Sequence, residues 1–160
     1  MDTADDEADA SALLAAIGFD PEESALTERQ AEVLLLRERG RTQTAIAEML
    51  GTSRANVANV EASARANVAK ARETLRVVRA MEAPVRVPVP AGADIYEVPE
   101  TVYEACNEAD IKVAYSAPEL VRLLLDEAES VVDGRTITVS LTLHITEDGE
   151  VVIRRTDREQ

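Results

Sequence analysis

Gln43-Thr44-Ala45-Ile46-Ala47-Glu48-Met49-Leu50-Gly51-Thr52-Ser53-Arg54-Ala55-Asn56-Val57-Ala58-Asn59-Val60 is the stretch on which the fold turns. A helix-turn-helix needs a small residue where its two helices cross, a residue tolerant of left-handed backbone in the turn, and apolar anchors that fix the crossing. Ala47 meets the first need, Gly51 the second, and Ile46, Leu50, Val57 and Val60 the third. Thr42 is placed to cap a helix predicted over 43–50, and Thr52 and Ser53 to cap the next one. With Val57 and Val60 turned inward, a rotation of about 100° per residue sends Ala55, Asn59 and Ala62 outward, flanked by Arg54 and Asn56. Those residue types suit the edges of bases. Arg54 can donate two hydrogen bonds to guanine, Asn56 or Asn59 can bridge adenine, and Ala55 lets the helix sit deep. Thr42, Gln43, Thr52 and Ser53 lie at helix N-termini, where amides and hydroxyls favour phosphate, and Arg41 and Arg65 add positive charge. Taken singly, Asn56 and Asn59 also read as solvated helix residues, and the three hydroxyl residues as caps alone.

Outward from the motif, Thr27-Glu28-Arg29-Gln30 is a capping box that opens an earlier helix, whose apolar series Ala31, Val33, Leu34, Leu35 and Leu36 ends at Gly40. Downstream, no glycine or proline occurs between Ser53 and Pro84, so one helix is predicted from about Ser53 to Met81. Val57, Val60, Ala64, Val68, Ala71, Leu75 and Val78 recur along it every three or four residues. That stripe is expected to pack on the preceding helices at its start and on a second subunit at its end. Residues 26–83 therefore read as a helix-turn-helix domain with a long third helix. Residues 1–25 carry eight acids and no base and are expected to be largely disordered, with one apolar helical turn over 11–19.

Pro84, Pro88 and Pro90 mark a boundary, beyond which the pattern changes class. Val85-Arg86-Val87-Pro88-Val89 alternates like an edge strand, 99–109 reads as a helix, and 111–115 as a short strand. Ser116-Ala117-Pro118-Glu119 is a second capping box, and the helix it opens is expected to bury Leu120, Leu123, Leu124, Ala128 and Val131 before Asp133-Gly134. Residues 136–146 alternate as one strand with Ile137, Val139, Leu141, Leu143 and Ile145 on one face. Its other face, Thr136, Thr138, Ser140, Thr142, His144 and Thr146, is expected to be solvated or paired across a dimer. Asp148-Gly149 turns the chain into a last strand at 151–154. The predicted class is α+β, an N-terminal all-α helix-turn-helix bundle followed by a small C-terminal α+β domain over 84–156 for dimerisation or sensing, with a tail at 157–160.

The net charge of −14 is segregated: residues 26–82 hold ten bases against seven acids, and 83–160 seven bases against sixteen acids. Only the middle third would tolerate a polyanion, and acidic flanks would hold the rest of the molecule off phosphates. Two lysines accompany fifteen arginines in a surface dense with carboxylates, a composition that suits a high-salt cytosol. Phosphate-derived affinity falls with salt, so a halophilic DNA-binder must lean on base-edge contacts. With no long apolar run and no signal-like start, a cytoplasmic protein with no membrane partner is expected.

The stretch Leu26-Thr27-Glu28-Arg29-Gln30-Ala31-Glu32-Val33-Leu34-Leu35-Leu36-Arg37 resembles the opening of sigma-factor region-four and response-regulator DNA-binding heads. The continuation from Gly51 to Leu75, with Gly92-Ala93-Asp94-Ile95-Tyr96-Glu97-Val98-Pro99, resembles the archaeal Tfx family of transcription regulators. The resemblance spans roughly residues 26–155. It implies a DNA-binding regulator with an N-terminal helix-turn-helix and a C-terminal α+β domain.

Other chemistries find little support. His144 and Cys106 are two ligand types where a zinc site needs about four, so no metal or cofactor is expected. No nucleophile elbow, phosphate loop or dinucleotide fingerprint occurs, so an enzyme is not expected. The leading expectation is a homodimer that reads double-stranded DNA with a recognition helix starting near Ser53. The alternative is an adaptor whose helix-turn-helix binds RNA polymerase or a basal factor. A protein-binding helix would more often expose Leu, Met or aromatic side chains where Arg54, Asn56 and Asn59 stand.

Overall fold

The computed structural model describes residues 3–156, and side-chain surroundings from residue 10 onward. The expected tail at 157–160 lies outside the described residues. The chain divides into two units, Met1–Thr74 and Leu75–Gln160. The division falls inside a helix, upstream of the proline boundary expected from the sequence.

Helix α1 covers Thr3–Ala16, α2 Glu28–Glu38, α3 Gln43–Met49 and α4 Arg54–Glu82. Hydroxyl side chains start the middle two. The Thr27 hydroxyl accepts from the Gln30 amide at 3.2 Å while Gln30 Oε1 accepts from the Thr27 amide at 3.1 Å, closing the capping box. The Thr42 hydroxyl accepts from the Ala45 amide at 3.1 Å. At the turn of the motif Gly51 takes φ +63, the left-handed backbone that stops α3. Val33, Leu36, Ile46, Ala47 and Val57 are buried together, with Leu35, Met49, Leu50 and Val60 packed against them, so the motif's anchors form the core of the first unit.

Residues 1–25 depart from the expected disorder, because α1 lies within them and packs on α2 and α3. Ala10 and Leu14, one helical turn apart, are buried, and Ala10 belongs to that core. Most of the apolar residues of α1 are alanines, which are good helix formers but give a weak periodic signal.

In the second unit β1 (Val85–Val89), β4 (Leu141–Ile145) and β5 (Val151–Arg155) form an antiparallel sheet in the order β1-β4-β5. Val87 pairs with Leu143, which pairs with Ile153. The face carrying Val85, Val87, Val89, Leu141, Leu143 and Ile145 is buried beneath α5 (Val98–Glu108) and α6 (Ala117–Glu127) through Val102, Cys106, Leu120 and Leu124. Pro88 sits on β1, an edge strand, where a missing amide donor is tolerated.

Three segments of this unit differ from the sequence expectation. Residues 111–115 form no strand; the Ala114 amide donates to the Gly149 carbonyl at 3.0 Å, a single bond to a turn where a ladder was expected. The helix opened by Ser116 stops at Glu127 and continues as a 3-10 turn over Glu129–Val131, with Ala128 and Val131 still buried. The alternating run at 136–146 is two strands, β3 (Thr136–Ile137), which pairs with β2 (Val132–Asp133), and β4. Between them Thr138 bends back, its amide and hydroxyl both donating to the Val131 carbonyl at 2.8 and 3.0 Å.

On the polar face of β4, Thr142 and His144 are half-buried. His144 stands between Arg86 and Val152 in the register and hydrogen-bonds the Ala80 backbone at the end of α4. Its Nδ1 is buried without a partner. Burial, then Arg86 and Arg154, holds its pKa below the usual histidine value.

Candidate nucleic-acid interface

Val57 is 1% exposed and faces the core of the first unit, so the opposite side of α4 faces solvent. Arg54, Ala55, Asn56, Asn59 and Ala62 are all exposed there. The helix begins with Ser53, whose hydroxyl accepts from the Asn56 amide at 3.1 Å. Asn56 Nδ2 donates to the Thr52 hydroxyl at 3.0 Å, which holds that amide against the turn and leaves its Oδ1 outside this bond. Arg54, Ala55, Asn56 and Asn59 are thus one surface at the N-terminal end of α4. Thr52 and Ser53 border it, both exposed.

Arg41 and Thr42 are exposed at the start of α3, and the Arg41 carbonyl accepts from Arg37 Nη1 at 2.8 Å. The first amides of α3, those of Gln43 and Thr44, precede the one capped by Thr42 and have no acceptor within the helix. Gln43 and Arg65 point elsewhere than a phosphate-facing role alone would need. Both donate to Glu61, Gln43 Nε2 to Oε2 at 3.0 Å and Arg65 Nε and Nη2 to Oε1 at 3.0 and 2.8 Å. Arg37 Nε donates to the same carboxylate, 3.2 Å from Oε1 and 3.1 Å from Oε2.

Glu61 is 7% exposed and was not singled out by the sequence reading. The Gln43 hydrogen bond, then those of Arg65 and Arg37, pull its pKa from the ordinary 4.5 to about 2 against the opposing effect of burial. One carboxylate therefore ties the end of α2, the start of α3 and the second turn of α4, fixing the angle at which the exposed face is presented. Asn67 adds a tie lower on α4, its Nδ2 donating to the Ala25 carbonyl and Gln30 Oε1, each at 3.2 Å. The i, i+4 spacing of Glu61 and Arg65 was the one visible signal for this network.

Cys106 is buried in the core of the second unit, where burial pushes its thiol pKa up, and His144 lies on the outer face of the sheet. The two residues weighed as metal ligands are thus on different sides of β4. Among the described residues no helix is long and apolar enough to cross a membrane.

The family model described as "DNA_binding protein, TFX, C-term" matches residues 71–153, and that described as "Sigma-70, region 4" matches 24–70. A protein of Haloarcula marismortui named "Putative transcriptional regulatory protein" is 46% identical over 150 residues, 94% of each chain. A relative of the same description in Methanocaldococcus jannaschii is 38% identical over 130 residues, 81% of this chain and 95% of its own. The "DNA-binding protein Tfx" of Methanothermobacter thermautotrophicus is 33% identical over 128 residues, 80% of this chain and 93% of its own.

Proposed function

The chain belongs to the Tfx family of DNA-binding transcription regulators, and from that premise we propose that the first turns of α4 enter the major groove and read base edges with Arg54, Ala55, Asn56 and Asn59. The observation that carries this reading is the exposure of those four residues on the side of α4 opposite the buried Val57. Arg54 is exposed at the helix start and free to approach guanine O6 and N7. Asn56 and Asn59 present amides at a spacing of about one helical turn, and Ala55 leaves room for the helix to seat.

Phosphates on either side are held by Arg41, by the Thr42, Thr52 and Ser53 hydroxyls, and by the amide of Gln43. The Gln43 side chain serves Glu61 instead, and Arg65 offers a phosphate its Nη1 beyond the two nitrogens that Glu61 takes. The protein acts as a homodimer in a salt-rich cytoplasm, and its operator has two half-sites about 10 to 10.5 base pairs apart, or a multiple of that spacing. The acidic, lysine-poor composition and the haloarchaeal relative support the salt-rich setting.

Arg54→Ala is the direct test. On a selected duplex it weakens binding by roughly 1 to 3 kcal/mol and relaxes preference at one base position, without changing non-specific affinity. Equal loss on every sequence would make Arg54 a phosphate contact and remove the base-reading role.

A further inference from the structure

Within the second unit three apolar side chains on one stretch of α4 stand in solvent: Leu75 is 58% exposed, Val78 41% and Met81 68%. Tyr96 and Leu125, the other large apolar residues exposed in this unit, are single and unremarkable for a protein surface. The opposite side of the same stretch is occupied. Ala80 is buried there, and Arg76 Nη2 donates to Glu127 Oε2 at 2.5 Å and to the Ile153 carbonyl at 3.2 Å. Along α4 the residues Ala64, Val68, Ala71, Leu75 and Val78 are spaced four, three, four and three, the interval of a helix that pairs with another helix. Ala64 is fully buried, Val68 and Ala71 half-buried, and Leu75 and Val78 open. The apolar seam continues past the point where its own chain covers it.

We propose that the Leu75-Val78-Met81 strip is covered by the same strip of a second copy, antiparallel, with the two-fold axis passing at Val78. This rests on the dimeric regulator proposed above and names its contact. The strip is self-complementary about that residue: Leu75 precedes Val78 by three positions and Met81 follows by three, so the two-fold lays each Leu75 on the Met81 of the second copy. Charge fits the same arrangement. In an antiparallel pair equivalent flanks face each other, and at 1.5 Å rise per residue Glu82 falls about 3 Å along the axis from Arg72 of the second copy. A parallel pair would stack Glu82 on Glu82. Arg79, near the two-fold, opens onto its own chain's Glu82, Glu147, Asp148 and Glu150, which offset its approach to the second Arg79.

The test uses the full chain in two variants. Val78→Cys places a thiol on the axis, within reach of its twin at ordinary helix-packing distances. On mild oxidation it is expected to form a disulfide-linked dimer, while Leu125→Cys does not; the native Cys106 is buried and serves as the silent background. Val78→Glu is expected to lower the mass in light scattering from dimer to monomer with unchanged circular dichroism, raising the dimer dissociation constant at least roughly 100-fold by placing two like charges in an apolar seam. A Val78→Glu protein that keeps the dimer mass, or a Val78→Cys protein that cross-links no faster than Leu125→Cys, would overturn the pairing. A wild-type monomer that still selects a DNA sequence overturns the pairing and leaves the DNA reading intact. A wild-type dimer that cross-links at Val78→Cys but selects no sequence supports the pairing and overturns that reading.

Discussion

Replacing Glu61 by Gln removes one negative charge from the point where three helices meet, and its cost can be worked from the contacts. Arg37, Gln43 and Arg65 all donate to the Glu61 carboxylate, at 2.8 to 3.2 Å. Hydrogen bonds to a charged group contribute about 1.5 to 3 kcal/mol each when well buried. The Arg37 and Arg65 side chains are 33% and 55% exposed, so water recovers much of their share and the sum is far below three full bonds. A loss of about 2 kcal/mol remains, because the glutamine amide turns an N–H toward groups that are themselves donors. For a unit of 60 to 100 residues that is a fall of roughly 10 °C in melting temperature. The pH dependence isolates the residue. Its folded pKa of about 2 lies below the ordinary 4.5, so its contribution is complete above pH 4.5 and disappears as pH falls toward 2. Thermal melts of wild type and Glu61→Gln between pH 7 and pH 2 should show a gap that is constant down to about pH 4.5 and then closes. A gap below about 0.5 kcal/mol at pH 7, or one that persists unchanged at pH 2, would refute the network as described.

Other perturbations reach the rest of the molecule. Gly149 has φ +80, and a Cβ there would lie 2.0 Å from the Lys112 carbonyl oxygen, so Gly149→Ala should destabilise the second unit by about 2 to 4 kcal/mol in denaturant titration. Ile46, on α3, is fully buried in the cluster with Val33 and Leu36 of α2 and Val57 of α4; Ile46→Ala should cost about 2 to 5 kcal/mol and weaken DNA binding through loss of fold. His144 has a pKa below the usual 6.5, so it favours the folded state above pH 6.5, and that contribution is lost as pH falls below 6.5 toward the folded value. A His144→Gln protein should accordingly show a flatter stability profile between pH 7 and 5 than wild type.

The helix-turn-helix was legible because each of its requirements is local. Thr27 with Gln30, Thr42, Gly51 and the Val57–Val60 spacing are signals that neighbouring residues confirm, and the structure places them as read. The misreadings share a different character. The 111–115 and 136–146 runs do alternate toward the core, with Ile111 and Val113 packed against it and Ile137 and Leu141 buried, but alternation reports a face and not a ladder. Whether a partner strand lies alongside is decided by residues outside the run itself, as when Thr138 bends back to Val131. The network at Glu61 was hidden for the same reason, since Gln43 and Arg37 lie 18 and 24 residues away. Helix α1 escaped because Leu13 and Leu14 are the only large apolar residues in a helix otherwise made of acids and small residues, too few to set a period. On the interface itself, residue types and helical rotation identified which side of α4 faces outward, whereas the engagement of Gln43 and Arg65 with Glu61 required the packed structure.

Selection of bound sequences from a random duplex pool, with the full chain in concentrated potassium chloride, decides whether the protein reads DNA sequence as a two-fold dimer. The expected result is enrichment of a two-fold-symmetric sequence whose half-sites are about one helical turn or a multiple apart, with the preference lost at one position in Arg54→Ala. No enrichment at any salt concentration, with no retention of random duplex either, would contradict it.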